Sequence, residues 1–312
     1  MSNILVSGLV NVETNVKVKS FPIPYFPINY PFFGVDTNVA GVAVNISSAL
    51  QTLGDDIKIS SIIGNDELAL LVKEKLEKDN ITQKYIYQNL KATPQTVVLY
   101  DNDGNRQIYC DLKDLQEAVY PKDMHDELLQ NCNVAIVCNS NFCRPLLKCA
   151  KEKNITVACD VQVLSSVRGE YDKEFMEYAD ILFLSNANLP YAEKQFICDL
   201  KNTYSAKIVV IGMGKKGALM YVRSEDALYK VPAVTVGNIV NTVGAGDALF
   251  SSFVHYYCKN APGNMSAIEA LKRASVFASY KIAFTTASTG FAKEDEVEKM
   301  LQKVAFSIER CF

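Results

Sequence analysis

The chain contains no tryptophan and only two histidines, His125 and His255. With two imidazoles and no Cys-x-x-Cys pair, a zinc site lacks ligands at workable spacing. The nine cysteines, five of them between Cys132 and Cys159, therefore read as small, mostly buried thiols. A long basic run is also missing and the formal net charge is −3, which argues against a nucleic-acid surface. No apolar segment approaches the roughly 18 residues that span a bilayer, so no membrane partner is expected. The first ten residues lack the basic region of a secretory signal and read as a short strand ending at Gly8, which predicts a cytoplasmic protein. No Gly-x-Gly-x-x-Gly follows that strand, which removes a dinucleotide-binding dehydrogenase. The absence of tryptophan itself carries no functional meaning.

What is present is a chain of 312 residues, 49% hydrophobic and 21% charged, enough for a large core with one appendage. Apolar strands alternate with helical patterns through most of it, the signature of a doubly wound, mainly parallel α/β sheet flanked by helices. The run Ile46, Ala49, Leu50, Leu53 predicts a helix stopped at Gly54, followed by a strand over 57–63 and a helix over 67–78. Strands are predicted over 134–138, 155–159, 181–184, 207–211 and 218–222, with helices between them. Ser266-Ala-Ile-Glu269 starts a capped helix, and 292–309 reads as a charged closing helix.

Two stretches break this rhythm. Residues 84–113 hold strands without helices, with a hairpin turn at Asp101-Asn-Asp-Gly104. Residues 21–33 pack four prolines among six aromatics, which excludes a helix or a central strand. Together they predict a small β lid made of 14–35 and 92–113, with the α/β core in 1–13, 36–91 and 114–312. So much aromatic surface needs cover, and a homodimer through the lids is the expected form.

Polar residues gather where strands end: Asn11 and Glu13, Asp160, Asn186, and the 212–217 loop. In open α/β sheets, ligands bind beyond the carboxyl ends of the strands, so these loops predict one composite site. The densest signal is Asn241-Thr-Val-Gly-Ala-Gly-Asp247, running into a helix. Bare backbone at a helix N-terminus, with about +0.5 charge from the macrodipole, suits a phosphate. An acid beside it suits a base that takes a proton from an attacking hydroxyl. On its own the turn reads equally as a surface loop with a first-turn aspartate.

The turn 244–247, together with Ala40-Gly-Val-Ala-Val-Asn45, resembles the two signatures of the ribokinase-like (PfkB) family of sugar and nucleoside kinases. The resemblance covers nearly the whole chain, lid included. It implies a ribokinase-like fold, Asp247 as catalytic base, and Gly244, Ala245 and Gly246 as the anion hole. It implies substrate contacts by Asn11, Glu13, Gly41 and Asn45. It also implies nucleotide contacts by Asn186, Gly214, Gly217 and Thr242. ATP and Mg2+ are the implied cofactors, and a sugar or nucleoside the implied small-molecule substrate. Three departures stand out. Leu189 occupies the place of the glutamate in the family's Asn-x-x-Glu motif, with Glu193 one helical turn later. Glu13 replaces a usual aspartate. Asn241 replaces an aspartate that often helps to hold an activating K+, and its amide oxygen is the weaker ligand. The first reading is therefore a kinase of a sugar hydroxymethyl group. A nucleoside kinase whose aromatic lid stacks on the base, and a non-catalytic ligand sensor, are the alternatives.

Overall fold

Unbroken apolar strands need cover on both faces, and here they receive it. A computed structural model describes residues 2–312. The chain runs through β1 (Asn3–Ser7), β2 (Asn11–Lys17), β3 (Val35–Ala40), α1 (Val42–Thr52), β4 (Asp56–Gly64), α2 (Glu67–Lys78), β5 (Ile86–Leu90), β6 (Gln95–Tyr100) and β7 (Arg106–Asp111). It continues through α3 (His125–Leu129), β8 (Val134–Val137), α4 (Arg144–Glu152), β9 (Thr156–Val163), α5 (Glu170–Tyr178), β10 (Ile181–Ser185), α6 (Glu193–Thr203), β11 (Ile208–Gly212), β12 (Ala218–Val222) and β13 (Ala227–Val231). The last elements are α7 (Ala245–Cys258), α8 (Ala267–Lys281), α9 (Glu294–Leu301) and β14 (Glu309–Arg310).

Ten strands form the central sheet in the order β14-β13-β12-β11-β10-β9-β8-β1-β4-β5. From β11 to β5 every pairing is parallel, and β12, β13 and β14 add antiparallel edge strands. Alternate strand residues feed two separate cores. Ile4, Val6, Ile181 and Phe183 face α1, α7 and α8, while Leu5, Leu182 and Leu184 face the layer of α4, α5 and α6. The period of two divides each apolar run between two helical layers. The strand order reverses at β1, which lies between β4 and β8, so the crevice at its carboxyl end is a topological switch point.

A second sheet, β3-β2-β6-β7, is the small appendage expected from sequence. It takes in Asn11–Lys17 and Val35–Ala40, so its strands extend to both sides of the expected boundaries at 13/14 and 35/36. Residues 18–34 between them hold no helix or strand, in keeping with their prolines. Of the strands in 84–113, β5 pairs with β4 in the central sheet, and β6 and β7 belong to the appendage. The crossover β4–α2–β5 explains this, because a parallel neighbour needs a helix between the strands. The expected closing helix over 292–309 is shorter, ending at Leu301. Beyond it the half-buried Val304, Phe306 and Ile308 alternate with the exposed Ala305 and Ser307, and the chain becomes extended and pairs as β14 with β13. The strand β13 was not expected from sequence.

The helix caps follow the local chemistry. Ala69 N donates to the Asp66 carboxylate at 3.0 Å to start α2, and Glu269 N donates to Ser266 Oγ at 3.3 Å to start α8. All nine cysteines are free thiols, with Cys138, Cys143, Cys159 and Cys258 buried and Cys110 exposed on β7. No helix among the described residues is long and apolar enough to cross a membrane.

Candidate active site

The site is built where α7 starts. Phe250 and Phe253 on α7 pack on Phe183 of β10 with ring centroids 5.1 and 5.2 Å apart, each pair worth about 0.5–1.5 kcal/mol beyond its burial. His255 Nδ1 shares a hydrogen bond of 2.6 Å with Asp55 Oδ2, and both residues are fully buried. These contacts hold α7 against the sheet and leave its first turn at the carboxyl edge. Gly244 is the N-cap, at φ 77°, the left-handed region that a side chain at this position would strain. A Cβ there would also come within 3.0 Å of the Ala287 carbonyl oxygen. No side chain caps α7, so its first-turn donors are left for something else. Of the expected anion-hole groups, Ala245 N–H is engaged by Thr242 O at 3.3 Å, which ties Thr242 into the turn.

Asp247 is buried at 8% exposure, and Asn45 Nδ2 of α1 donates to its Oδ2 at 2.7 Å. The two signature segments of the sequence therefore meet through this one bond, although 202 positions separate them. Burial pushes the Asp247 carboxyl up to about 6. The Asn45 and Gln162 side chains oppose that by favouring the charged form, Glu13 adds to it, and Arg106 opposes it. Gly41 makes the close approach of α1 workable. It stands at φ 98°, and a Cβ there would lie 2.5 Å from the Leu9 carbonyl oxygen.

On β2, Asn11, Glu13 and Asn15 share one face and are all buried. Asn11 Nδ2 donates to Thr96 Oγ1 of β6, and Asn15 Nδ2 donates to Glu13 Oε1 at 3.1 Å. Burial raises the Glu13 carboxyl above its ordinary range, while Asn15 and Arg106 pull it back. The Oδ1 atoms of Asn11, Asn15 and Asn45 are buried and have no hydrogen-bond partner. Three such acceptors beside two carboxylates are costly unless a ligand supplies donors.

Asn186 follows β10, and its backbone N–H donates to Gly212 O at 2.9 Å. That bond sets it beside the turn holding Gly214 and Gly217, where Gly217 N donates to Gly214 O at 2.9 Å. Its side chain finds a carboxylate after all. Asn186 Nδ2 donates to Glu193 Oε1 at 2.9 Å, and this bond, more than any other influence, holds the Glu193 carboxyl below its usual range. Residues 187–192 form an irregular loop before α6, so the loop shortens a distance that a continuous helix would have made too long.

Three residues near the acids were not expected to bear on the site. Asn15 had a sequence signal, since it continues the parity of Asn11 and Glu13. Gln162 had none; it lies near the end of β9 with a left-handed backbone at φ 62°, and its side-chain amide favours the charged form of Asp247. Asp160, two residues earlier, accepts from Gln162 N at 2.9 Å, and burial pushes its carboxyl up to about 7, with the Asp247 charge adding to the shift. Arg106 of β7 is exposed, yet its charge bears on both Glu13 and Asp247. The Asn241 amide is used at both ends, donating from Nδ2 to Thr285 O at 2.7 Å and accepting at Oδ1 from Val243 N at 2.9 Å.

Known proteins share this fold. A microbiome-derived acarbose kinase, Mak1, superposes with a TM-score of 0.86 at 22% identity, covering 96% of this chain and 99% of that one. Fructosamine kinase FrlD of Bacillus subtilis is 23% identical over 228 residues, which is 70% of this chain and 76% of that protein. A nucleoside kinase of Methanocaldococcus jannaschii is 23% identical over 268 residues, 83% of this chain and 84% of its own length. The profile of the pfkB family carbohydrate kinases matches residues 1–294. With its ribokinase-like fold and both signatures in place, the chain belongs to the pfkB family of carbohydrate kinases and is a phosphotransferase with a hydroxyl acceptor.

Proposed function

We propose that this enzyme transfers the γ-phosphoryl group of ATP to a hydroxymethyl group of a sugar or sugar-like molecule. The observation that supports a sugar is the excess of acceptors. Asn11 Oδ1, Asn15 Oδ1 and Asn45 Oδ1 are buried without donors, and Glu13 and Asp247 stand near them. A free sugar brings several O–H donors to such a site, whereas the ribose of a nucleoside brings two besides the hydroxyl that is phosphorylated. The missing glutamate of the Asn-x-x-Glu motif was the reason to consider a non-catalytic sensor, and Glu193 now stands at Asn186.

In this mechanism Asn11, Glu13 and Asn45 hold the sugar, and Asp247 accepts the proton of the attacking hydroxyl. The oxygen then forms a bond to the γ-phosphorus while the bond to the bridging oxygen of ADP breaks. Charge on the transferred group meets the free N–H groups at the start of α7, donors that act without reorganisation. Mg2+ suits Glu193, since that ion keeps water and binds through one or two carboxylates plus substrate phosphates. When bound there it would neutralise phosphate charge. The 214–217 turn and Thr242 hold the nucleotide, and the small sheet with residues 14–35 and 92–113 acts as a lid that excludes water.

A panel of sugars and nucleosides with ATP, read by ADP release, tests this reading. A sugar among the best substrates by kcat/KM supports it, and turnover of nucleosides alone replaces it with the nucleoside reading. The pH profile gives a second test. A base must be ionised, so kcat/KM rises with pH through about 6. Asn45→Ala removes a donor that favours the charged form, so the limb moves to higher pH. A limb that stays in place in this variant separates Asp247 from the titration.

We also propose a homodimer. On the 21–33 segment Tyr25, Tyr30, Phe32 and Phe33 are all exposed, Tyr25 at 90% and Phe32 at 86%. A surface this apolar calls for a partner, and a second copy of the lid offers a matching face. Light scattering that shows a monomer at micromolar concentration removes the idea. Nine free thiols suit a reducing compartment, and we place the enzyme in the cytoplasm.

A further inference from the structure

Lys281 is the last residue of α8, and no part of it reaches solvent. No carboxylate among the described residues lies within ion-pair distance of its ammonium, which donates instead to the carbonyl oxygen of Thr286. Its Nζ also lies 5.7 Å from the centre of the Phe291 ring. Lysine is almost never fully buried without an acidic partner, because losing its hydration is costly. Burial accordingly pulls its pKa down to about 8, and the negative charge of Asp247 is what pulls it back up. The steps described so far do not use this residue.

The loop it holds meets the catalytic turn at its head and at the N-cap of α7. Thr285 O accepts from Asn241 Nδ2 at 2.7 Å, at the head of the turn. Thr286 O accepts from Lys281. Ala287 packs against Gly244 so closely that a Cβ on Gly244 would meet its carbonyl oxygen at 3.0 Å. Ser288 Oγ donates to Val39 O at 2.8 Å, on β3 of the small sheet. Four consecutive residues thus join the Asn241 turn, a buried cation, the N-cap of α7 and the lid sheet. Both ends of the Asn241 amide are already bonded, which leaves the ammonium as the positive charge at this loop.

We propose that Lys281 is an internal cation that fixes the 285–288 loop behind the Gly244–Asp247 turn, so that the enzyme needs no dissociable monovalent cation there. The inference rests on the kinase reading and extends it to the regulation of the same site. An ammonium and a potassium ion are similar in size, and both are satisfied by carbonyl oxygens. A tethered ammonium is always present, whereas a free ion must be bound from solution. Lys281 acts through the turn and not on the substrate, so it is a positioning residue.

The test compares the wild-type enzyme in potassium chloride and in tetramethylammonium chloride, a cation too large for such a site. Equal rates are expected. Lys281→Met keeps an unbranched, flexible side chain one atom shorter and removes the charge. Its kcat falls by about 10- to 100-fold, the usual effect of losing a supporting contact, with KM for sugar and ATP little changed. Potassium or ammonium restores part of that loss. Crystals of Lys281→Met soaked in thallium(I) show anomalous density beside the Thr286 carbonyl, and wild-type crystals show none. That readout needs no turnover, so it separates failure of this proposal from failure of the kinase reading. A wild-type rate that rises about tenfold or more with potassium overturns the proposal. So does a variant with unchanged kcat, one whose loss lies in KM, or variant crystals without thallium. If Lys281→Met does not fold, the wild-type comparison alone decides.

Discussion

Asp247→Asn lowers kcat by about 10²–10⁴-fold and leaves sugar binding in place. The substitution preserves shape, and the new amide can still accept at its oxygen the hydrogen bond that Asn45 Nδ2 now donates to Asp247 Oδ2. What it cannot do is take a proton. The loss should therefore appear in kcat, with the dissociation constant of the sugar by calorimetry close to that of the parent. ADP release at the parent rate would end the assignment of Asp247 as base. Asp160 would then be the acid to examine, since burial already holds its carboxyl at about 7. The Asn45→Ala variant distinguishes the two, because Asn45 Nδ2 donates to Asp247, so a limb that moves in that variant belongs to Asp247.

Glu13→Ala lowers kcat/KM by about 100-fold or more. A hydrogen bond to a charged group contributes about 1.5–3 kcal/mol, and leaving a buried polar partner unsatisfied adds about 1–3 kcal/mol. Asn15 is that partner, since its Nδ2 donates to Glu13 Oε1. The double variant Glu13→Ala with Asn15→Ala should therefore lose less than the sum of the two single losses, as expected for residues in contact. Steady-state kinetics on the best sugar of the panel measures both. Additive losses would show that Glu13 and Asn15 act on separate parts of the ligand. A Glu13→Ala enzyme with unchanged kcat/KM would remove this face of β2 from the substrate site.

Several elements were legible from local pattern. The helix over 67–78 and the strand over 218–222 lie where periodicity and turn residues put them. The β5 strand lies within the 36–91 span read from sequence as core, but its pairing with β4 was not legible, because partner choice is a long-range property. The aromatic segment 21–33 was legible as irregular from its prolines, and its exposure emerged only once the second sheet was seen to leave it without cover. Glu193 shows the same limit from the other side. Counting residues along a helix put it too far from Asn186, but an irregular loop brings it to 2.9 Å.

The sequence by itself determined the family, the alternation of strands and helices, and the candidates Asp247, Asn45, Asn11 and Glu13. Those depend on short-range pattern and on motifs whose spacing reflects the chemistry of phosphate and hydroxyl. Only the tertiary structure decided what these side chains do to one another. It joined Asn45 to Asp247, raised the acid through burial, set Gln162 beside it, and buried Lys281 behind the turn. The physical reason is that desolvation and hydrogen bonding act over a few ångströms in space, between residues as many as 202 positions apart in the chain.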